Sequence, residues 1–181
     1  MKKHAIVLAA LIGAASAQAQ VYGTVAGGVT HLGLDCTGAT TCDANGTGAK
    51  VVGGYEFGHG FSLEAGYISF GKFHAADNTA SLSVKPTAIT LGGAFALPLN
   101  SNWGMNVRLG VAQVKTKASA TVGAVSGSDS ESKAKVYAGV GVTYAVSKTV
   151  KFELGIDSTE SEFSGEKGTL RLISLGATFA F

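Results

Sequence analysis

The stretch Ile173–Phe181, with the sequence ISLGATFAF, alternates large apolar side chains with small ones. One face carries Ile173, Leu175, Ala177, Phe179 and Phe181. A repeat of two residues is that of a β-strand, because successive side chains of a strand point to opposite faces. A strand that buries its apolar face is normally followed by more chain, whereas this sequence ends on an aromatic residue.

An outer-membrane β-barrel accounts for such a strand. Its closing strand exposes the apolar face to lipid and places aromatic side chains at the membrane interface. The aromatic ending also resembles the signal that these barrels present to the barrel assembly machinery. Phe179 and Phe181 are therefore the candidate assembly signal.

The first residues indicate export. Lys2 and Lys3 precede an apolar run from Ala5 to Ala15, and Ala17-Gln18-Ala19 forms a small-residue cleavage site. This is the pattern of a secretory signal peptide over residues 1–19. The alternative is a transmembrane anchor, but the run is shorter than the roughly 20 residues that a spanning helix needs. We expect residues 20–181 to form one barrel domain in the outer membrane of a Gram-negative cell.

Charge and composition exclude several classes of protein. Removing residues 1–19 takes Lys2 and Lys3 from the 14 basic residues and no acid, which leaves 12 basic and 12 acidic residues. A neutral chain without runs of like charge gives no sign of a nucleic-acid partner. Hydrophobic residues make up 46% of the sequence, yet beyond residue 19 no apolar run approaches the length of a spanning helix. The 26 glycines and only 2 prolines also argue against collagen and a proline-rich disordered tail.

The alternation predicts an all-β chain of eight antiparallel strands in an up-and-down transmembrane barrel. The strands are expected at 21–32, 50–57, 61–71, 87–97, 106–112, 136–144, 150–157 and 173–181. The seventh is the clearest, because Val150, Phe152, Leu154 and Ile156 alternate with charged and small residues.

The connections between these strands alternate in length. Short turns are expected at 58–60, 98–104 and 147–148, and long polar loops at 33–49, 72–86, 115–135 and 158–168. Short periplasmic turns and longer outer loops are typical of outer-membrane barrels. The alternative is a soluble, lipocalin-like barrel with its apolar face inside. That arrangement would force many aromatic side chains, such as Trp103 and Phe152, into a narrow interior.

The segment 54–67, GYEFGHGFSLEAGY, resembles the second-to-third-strand hairpin of the OmpA-like small barrels, which include OmpX-type and opacity-type surface proteins. Gln20-Val21-Tyr22-Gly23 resembles the start of many mature porins. The resemblance spans the chain after residue 19 and implies architecture more than activity. OmpA itself continues into a peptidoglycan-binding domain and this sequence does not, so cell-wall anchoring is not implied.

Two cysteines lie in the first long loop. Cys36 and Cys42 are separated by five residues, and an oxidising exported context favours a disulfide between them. Nearby His31, Asp35 and Asp43 make a metal site conceivable, but the pattern lacks a second closely spaced ligand pair. We predict a loop disulfide, no metal and no cofactor.

The histidines are the candidate catalytic residues. Some eight-stranded outer-membrane barrels modify lipid A with a Ser/His arrangement near the outer rim. His31 and His74 are expected near this rim, where Ser69, Asp77 or Ser81 could be close, while His59 falls in a periplasmic turn. Serine is so common here that proximity carries little weight, and the histidine-serine-asparagine cluster of the lipid A deacylases is absent. We therefore do not expect an enzyme.

Strand parity places charges on both faces of the barrel. An interior charge layer is expected from Glu56, Glu64, Arg108, Lys151 and Glu153. A rim facing outer-membrane lipid and lipopolysaccharide is expected from Lys85, Lys115, Lys117 and Arg171. The interior layer is a polar core or, alternatively, an ion-pair gate.

The predicted function is structural or surface interaction. The outer loops, rich in Ser, Thr, Gly and Ala, are expected to be flexible and solvated, or else to display a binding surface for an extracellular ligand. The alternatives are a narrow gated pore for small ions or solutes and, in second place, a lipid A-modifying enzyme.

Overall fold

Eight antiparallel strands close into a barrel in the computed structural model, as the alternation predicts. The structure describes residues 20–33, 41–77, 80–122, 125–163 and 166–181, with side chains described except at 41–43, 74–82, 120–126 and 163–167. No helix within these ranges has the length and hydropathy needed to cross a membrane. The strand segments are β1 (Gln20–Gly33), β2 (Thr41–Asp43), β3 (Asn45–Gly58), β4 (Phe61–Ser69), β5 (Phe73–Asp77), β6 (Ala80–Pro98), β7 (Trp103–Val122), β8 (Val125–Ala145), β9 (Val150–Phe163) and β10 (Glu166–Ala180).

The barrel closes where β6 pairs with β7, which gives the ring order β6-β4-β3-β1-β10-β9-β8-β7. The short segments β2 and β5 continue β3 and β4 towards the outer end, because β5 pairs with β6 beyond β4 and β2 pairs with β5. The chain between β4 and β5 bends at Gly71, whose φ is 82°. This bend shifts the alternation by one residue, and both Phe70 and Phe73 are buried.

The periplasmic turns follow from local sequence. His59 and Gly60, with φ of 55° and 80°, form a two-residue turn between β3 and β4 in which both central residues have positive φ. Asn100 closes the next turn, since its side-chain oxygen accepts from the backbone N–H groups of Asn102 and Trp103. Ser147 does the same for Thr149 and Val150.

The strands expose their apolar faces and bury the polar ones. On β9, Phe152, Leu154 and Ile156 are exposed, whereas Glu153 and Asp157 are buried. The same alternation holds for the outward residues Val25, Val51, Leu63, Leu91, Leu109, Val140 and Leu175. This is the arrangement of a barrel that faces lipid, and it excludes the soluble alternative.

Two opposite seams of the barrel are closed by glycines. Gly92 of β6 lies opposite Gly110 of β7, and a Cβ on either would come within 2.3 Å of a backbone oxygen of the other strand. Gly28 and Gly176 play the same part between β1 and β10. Strands approach each other this closely at barrel corners only where a glycine, which has no Cβ, lies at the contact. The seams divide the ring into two four-stranded walls, β6-β4-β3-β1 and β10-β9-β8-β7.

The prediction of long flexible outer loops was wrong for the residues that the structure describes. β6, β7 and β8 continue their ladder through residues expected to be loop, with Ala80 opposite Val122 and Val122 opposite Val125. β10 pairs with β9 as far as Glu166 opposite Phe163. Within the described ranges, the outer part of the protein is therefore largely an extension of the barrel wall.

Candidate functional site

Charged side chains cross the barrel interior and join its two walls. We call them the interior network: Lys50, Glu64, Arg108, Glu153 and Asp157. Lys50 and Glu64 come from β3 and β4, and the other three come from β7 and β9. All five are buried, Lys50 at 1% exposed and Arg108 at 2%. Alternation turns each of them inward, because each shares the parity of small inward neighbours.

Arg108 is the centre of the network. Its Nε donates to Glu64 Oε2 at 2.8 Å, and its two terminal nitrogens donate to the two oxygens of Glu153 at 2.9 and 2.7 Å. This second contact is the bidentate arrangement that fits guanidinium to carboxylate. Asn106 also donates to Glu153, at 2.7 Å. Arg108 thus ties β7 both to its own wall and to the wall opposite.

Lys50 forms the second link between the walls. Its Nζ donates to Asp157 Oδ2 at 2.7 Å and to Glu153 Oε1 at 3.1 Å. The hydroxyl of Tyr137 donates to the other oxygen of Asp157. The hydroxyl of Tyr22 donates to Glu64 at 2.6 Å. The network contains three carboxylates and only two cations. The two tyrosine hydroxyls therefore supply further hydrogen bonds to its carboxylates.

Glycines on the inward face of the strands make room for the network. A Cβ on Gly139 would lie 2.8 Å from Asp157 Oδ1, and a Cβ on Gly54 would lie 2.1 Å from the Tyr22 ring. Inward glycines therefore provide the space into which the long polar side chains extend.

The structure brings together three of the five residues predicted for the interior layer. Glu64, Arg108 and Glu153 form the network, but no ion pair joins Glu56 or Lys151 among the described residues. Lys50 and Asp157 were missed, although both have inward parity, because the layer was expected close to the turns. Barrel strands are tilted and staggered, so residues at different distances from their turns come into contact.

The network is the floor of a cavity that opens at the periplasmic end. The cavity has a volume of about 660 Å³ and is lined by Glu56 and Lys151 as well as Glu64, Arg108 and Glu153. Beyond the network, the outer half of the lumen is filled by an apolar cluster. Its members are Leu32, Ile68, Phe70, Phe73, Ala88, Ala112, Val114, Tyr137, Leu170 and Leu172. The lumen is thus closed first by paired charges and then by apolar packing.

Aromatic and cationic side chains lie at opposite ends of the outer surface. Near the turns, the tilted rings of Trp103 and Tyr144 pack with 5.0 Å between their centroids, and those of Phe61 and Phe95 with 4.5 Å. The four predicted rim residues, Lys85, Lys115, Lys117 and Arg171, are all exposed at the other end. Lys85 lies directly opposite Lys117, and Lys115 is opposite Thr87 on the same face. Three of the four cations therefore cluster on β6 and β7, and Arg171 lies apart on β10.

The other predicted residues fall as follows. His31 Nδ1 shares a hydrogen bond of 2.9 Å with Asn45 Oδ1, and His59 lies in the periplasmic turn. His74, Asp77 and Ser81 are described only in their backbone, and Cys36 lies outside the described residues. The disulfide with Cys42 therefore stays a prediction. Phe179 and Phe181 are both exposed, and the backbone N–H of Phe181 donates to Val21.

Residues 11–157 match the family described as OmpA-like transmembrane domain. The chain belongs to this family. Its members are outer-membrane β-barrels, so this OmpA-like protein is an outer-membrane protein whose turns face the periplasm and whose strand extensions face outwards. Comparison with curated proteins finds no match.

Solved structures share the fold at low sequence identity. Ail, the attachment invasion locus protein of Yersinia pestis, is 17% identical with a TM-score of 0.61, over 91% of this chain and 99% of Ail. Neisserial surface protein A is 15% identical with a TM-score of 0.64, over 89% of this chain and 97% of its own. The N-terminal barrel domain of Pseudomonas aeruginosa OprF is 15% identical with a TM-score of 0.52, over 91% and 100%. Ail has also been solved in complex with the heparin analogue sucrose octasulfate.

Proposed function

We propose that this OmpA-like barrel is a surface-interaction protein whose membrane part is a closed, rigid support. The observation that carries the proposal is the continuation of β6, β7 and β8 beyond the rim as one sheet above a closed lumen. A ladder that continues past the membrane costs ordering entropy. A rigid display surface is a function that this ordering would serve.

The closed lumen argues against the pore alternative. An ion would have to pass the paired charges around Arg108 and then the apolar cluster that includes Phe70 and Leu172. Opening the ion pairs alone would leave the outer half blocked. The proposal therefore treats the interior network as a polar core that fixes the two walls.

The proposal includes no catalytic step. Of the histidines with described side chains, His31 bonds to the amide of Asn45, and His59 lies at the periplasmic end, far from an outer-leaflet substrate. Export by a cleaved signal peptide at residues 1–19 and insertion by the barrel assembly machinery complete the proposal.

Lipopolysaccharide is the proposed ligand of the rim cations. Lys85 and Lys117 are directly opposite each other on the lipid-facing side, and like charges in this position are destabilising without a counter-charge. Phosphate groups of lipopolysaccharide at the outer rim would supply that charge. The sulfated analogue bound by Ail is an anion of similar chemistry, so a sulfated glycan is a second candidate for this cluster.

Replacing Lys85, Lys115, Lys117 and Arg171 with Gln should reduce the lipopolysaccharide that co-purifies with the barrel by at least about tenfold, since each cation near an anionic surface contributes about 1 kcal/mol. Quantifying lipid A phosphate in the purified protein tests this. Lys148→Gln, in the periplasmic turn, is the matched control and should change nothing. Equal lipopolysaccharide in the fourfold variant and the wild type would remove this ligand from the proposal.

Shortening the β7–β8 extension should abolish surface binding while the barrel still folds. The variant replaces residues 117–130 with Asn-Gly, which joins the register pair Thr116 and Glu131 through a two-residue turn. Bacteria that express it should adhere several-fold less to an epithelial monolayer and to heparin-coated beads, with the barrel still heat-modifiable on gels. The control, Ser119→Ala with Ser128→Ala, keeps the length and should adhere normally. Full adherence of the shortened variant would count against a role for this surface.

A further inference from the structure

In the part of the chain that the structure describes, one backbone edge of the outer half of β8 has no neighbouring strand. β8 pairs with β7 along its whole length, from Val125 opposite Val122 to Tyr144 opposite Trp103. It pairs with β9 only from Tyr137 opposite Thr159 to Ala145 opposite Lys151. Across the described ranges, no strand lies against the second edge of residues 125–136. The backbone groups of that edge are available to another strand.

Side chains and not backbone hydrogen bonds bridge the fork between β8 and β9. Lys135 pairs with Glu162 and, at 3.8 Å, with Glu160. Lys133 pairs with Glu131 at 3.0 Å and reaches Glu162 at 3.9 Å. The hydrogen bond that Lys133 donates to Glu131 raises the pKa of Lys133 above its ordinary value. These pairs fix the base of the fork and leave the strand edge above it unpaired.

The free edge carries its charges in a self-complementary order. Asp129, Glu131, Lys133 and Lys135 alternate with Ser128, Ser130, Ser132 and Ala134. One face of the strand therefore has two acids followed by two bases. Exposed strands commonly avoid edge-to-edge pairing by carrying charged side chains that repel a second strand. An edge protected in this way would carry charges of one sign.

A second copy of the same edge matches this order when the two strands run antiparallel. With the twofold axis at Ser132, Glu131 lies opposite the partner's Lys133, and Asp129 lies opposite the partner's Lys135. Opposite charges in direct cross-strand positions are favourable, and like charges are unfavourable. A parallel pairing in register would place every charge opposite its own kind.

The direction of β8 decides where the second copy must be. β8 runs from the outer surface towards the periplasm, so two copies in one membrane have their β8 strands pointing the same way. Antiparallel pairing about a twofold axis requires copies in two membranes that face each other. The overlap of residues 128–136, nine residues centred on Ser132, is about 30 Å long, at about 3.3 Å per residue.

We propose that the edge of β8 from Ser128 to Val136 is a homophilic docking site that adds to the same edge of a second copy in a facing outer membrane. The inference rests on the proposed surface role and gives that role a partner. Backbone pairing supplies the attachment, as in other cases of strand addition, and the charge order selects the antiparallel partner.

The test uses refolded full-length barrel in phosphatidylcholine vesicles without lipopolysaccharide, with two vesicle populations carrying different dyes. Two variants reverse half of the edge: Asp129→Lys with Glu131→Lys, and Lys133→Glu with Lys135→Glu. Wild-type vesicles should cluster, and clustering should weaken with added salt. Each variant alone should cluster at least tenfold more slowly, because all four charges on its edge then have one sign. Mixing the two variants should restore clustering.

Heat-modifiability and intact resistance of the β7–β8 hairpin to protease confirm that each variant is folded. Absence of clustering by the wild type at low salt, undiminished clustering of either variant, or failure of the mixture to cluster would each overturn the inference. Energy transfer between copies within single vesicles, without clustering, would show pairing in one membrane and would also overturn it. Binding of the same vesicles to an epithelial monolayer and to heparin-coated beads is measured in parallel. Retained binding without clustering leaves the proposed function standing and removes only the homophilic partner.

Discussion

Arg108→Met should lower the free energy of unfolding of the barrel by about 3 to 5 kcal/mol, the cost of breaking a buried ion pair from one side. Arg108 makes ion pairs with Glu64 and Glu153, all three groups are buried, and removing the cation leaves Lys50 as the only cation of the network. Glu64 and Glu153 would lose their guanidinium partner, and at 7% and 2% exposed they would regain little hydration in exchange. Urea unfolding in lipid vesicles, followed by heat-modifiability and Trp103 fluorescence, measures the change.

Lys151→Met is the matched control for this experiment. Lys151 also faces the periplasmic cavity, but it is exposed and has no ion pair among the described residues. Its free energy of unfolding should stay within about 0.5 kcal/mol of the wild type, as for other exposed substitutions. An unchanged midpoint for Arg108→Met would show that the network does not hold the walls together. A rise in conductance of Arg108→Met in planar bilayers would favour the gate alternative.

Phe70→Ala should destabilise the barrel by a similar amount, about 3 to 5 kcal/mol, the usual cost of removing a buried phenyl ring. Phe70 is fully buried in the apolar cluster, and its backbone is fixed by hydrogen bonds with Thr30 and Pro86. The surrounding side chains come from a closed ring of strands, so they can collapse into the vacated space only in part. The same urea titration measures the loss.

Leu99→Ala serves as the control for Phe70→Ala. Leu99 lies in the periplasmic turn at 63% exposed, so its removal takes away little buried area. The control should unfold at the wild-type midpoint. Equal midpoints for the two variants would mean that the outer half of the lumen is not packed around Phe70. The apolar cluster would then not block the passage of ions.

The faces of the strands followed from sequence because lipid and lumen impose opposite chemistry on neighbouring residues. On β9, the alternation of Phe152, Leu154 and Ile156 with Glu153 and Asp157 leaves one possible orientation in a membrane barrel. The turns followed as well, since Gly58, His59 and Gly60 form a local signal that needs no distant partner. Strand number and barrel class are consequences of these local patterns.

The outer ladder did not follow from sequence, for a related reason. Beyond the rim the outward face of a strand meets water instead of lipid, so its side chains are polar and the apolar alternation that marks a membrane strand disappears. The segment Lys115–Ser119 shows no such pattern, yet it pairs with β6 and β8 throughout. Its regular structure comes from neighbouring strands that continue the register, which is a tertiary effect.

Strand alternation alone sets the inward parity of every charge in the network, but which charges meet depends on how the strands pack in the barrel. Lys50 and Asp157 lie seven or more residues from their turns and Glu64 lies three from its own, yet strand tilt and stagger bring all three into one network through Glu153 and Arg108. The closing of the outer lumen was decided in the same way, because the bend at Gly71 turns Phe73 inward against the alternation. Parity is a property of one strand, whereas height and contact depend on how all eight strands are staggered around the ring.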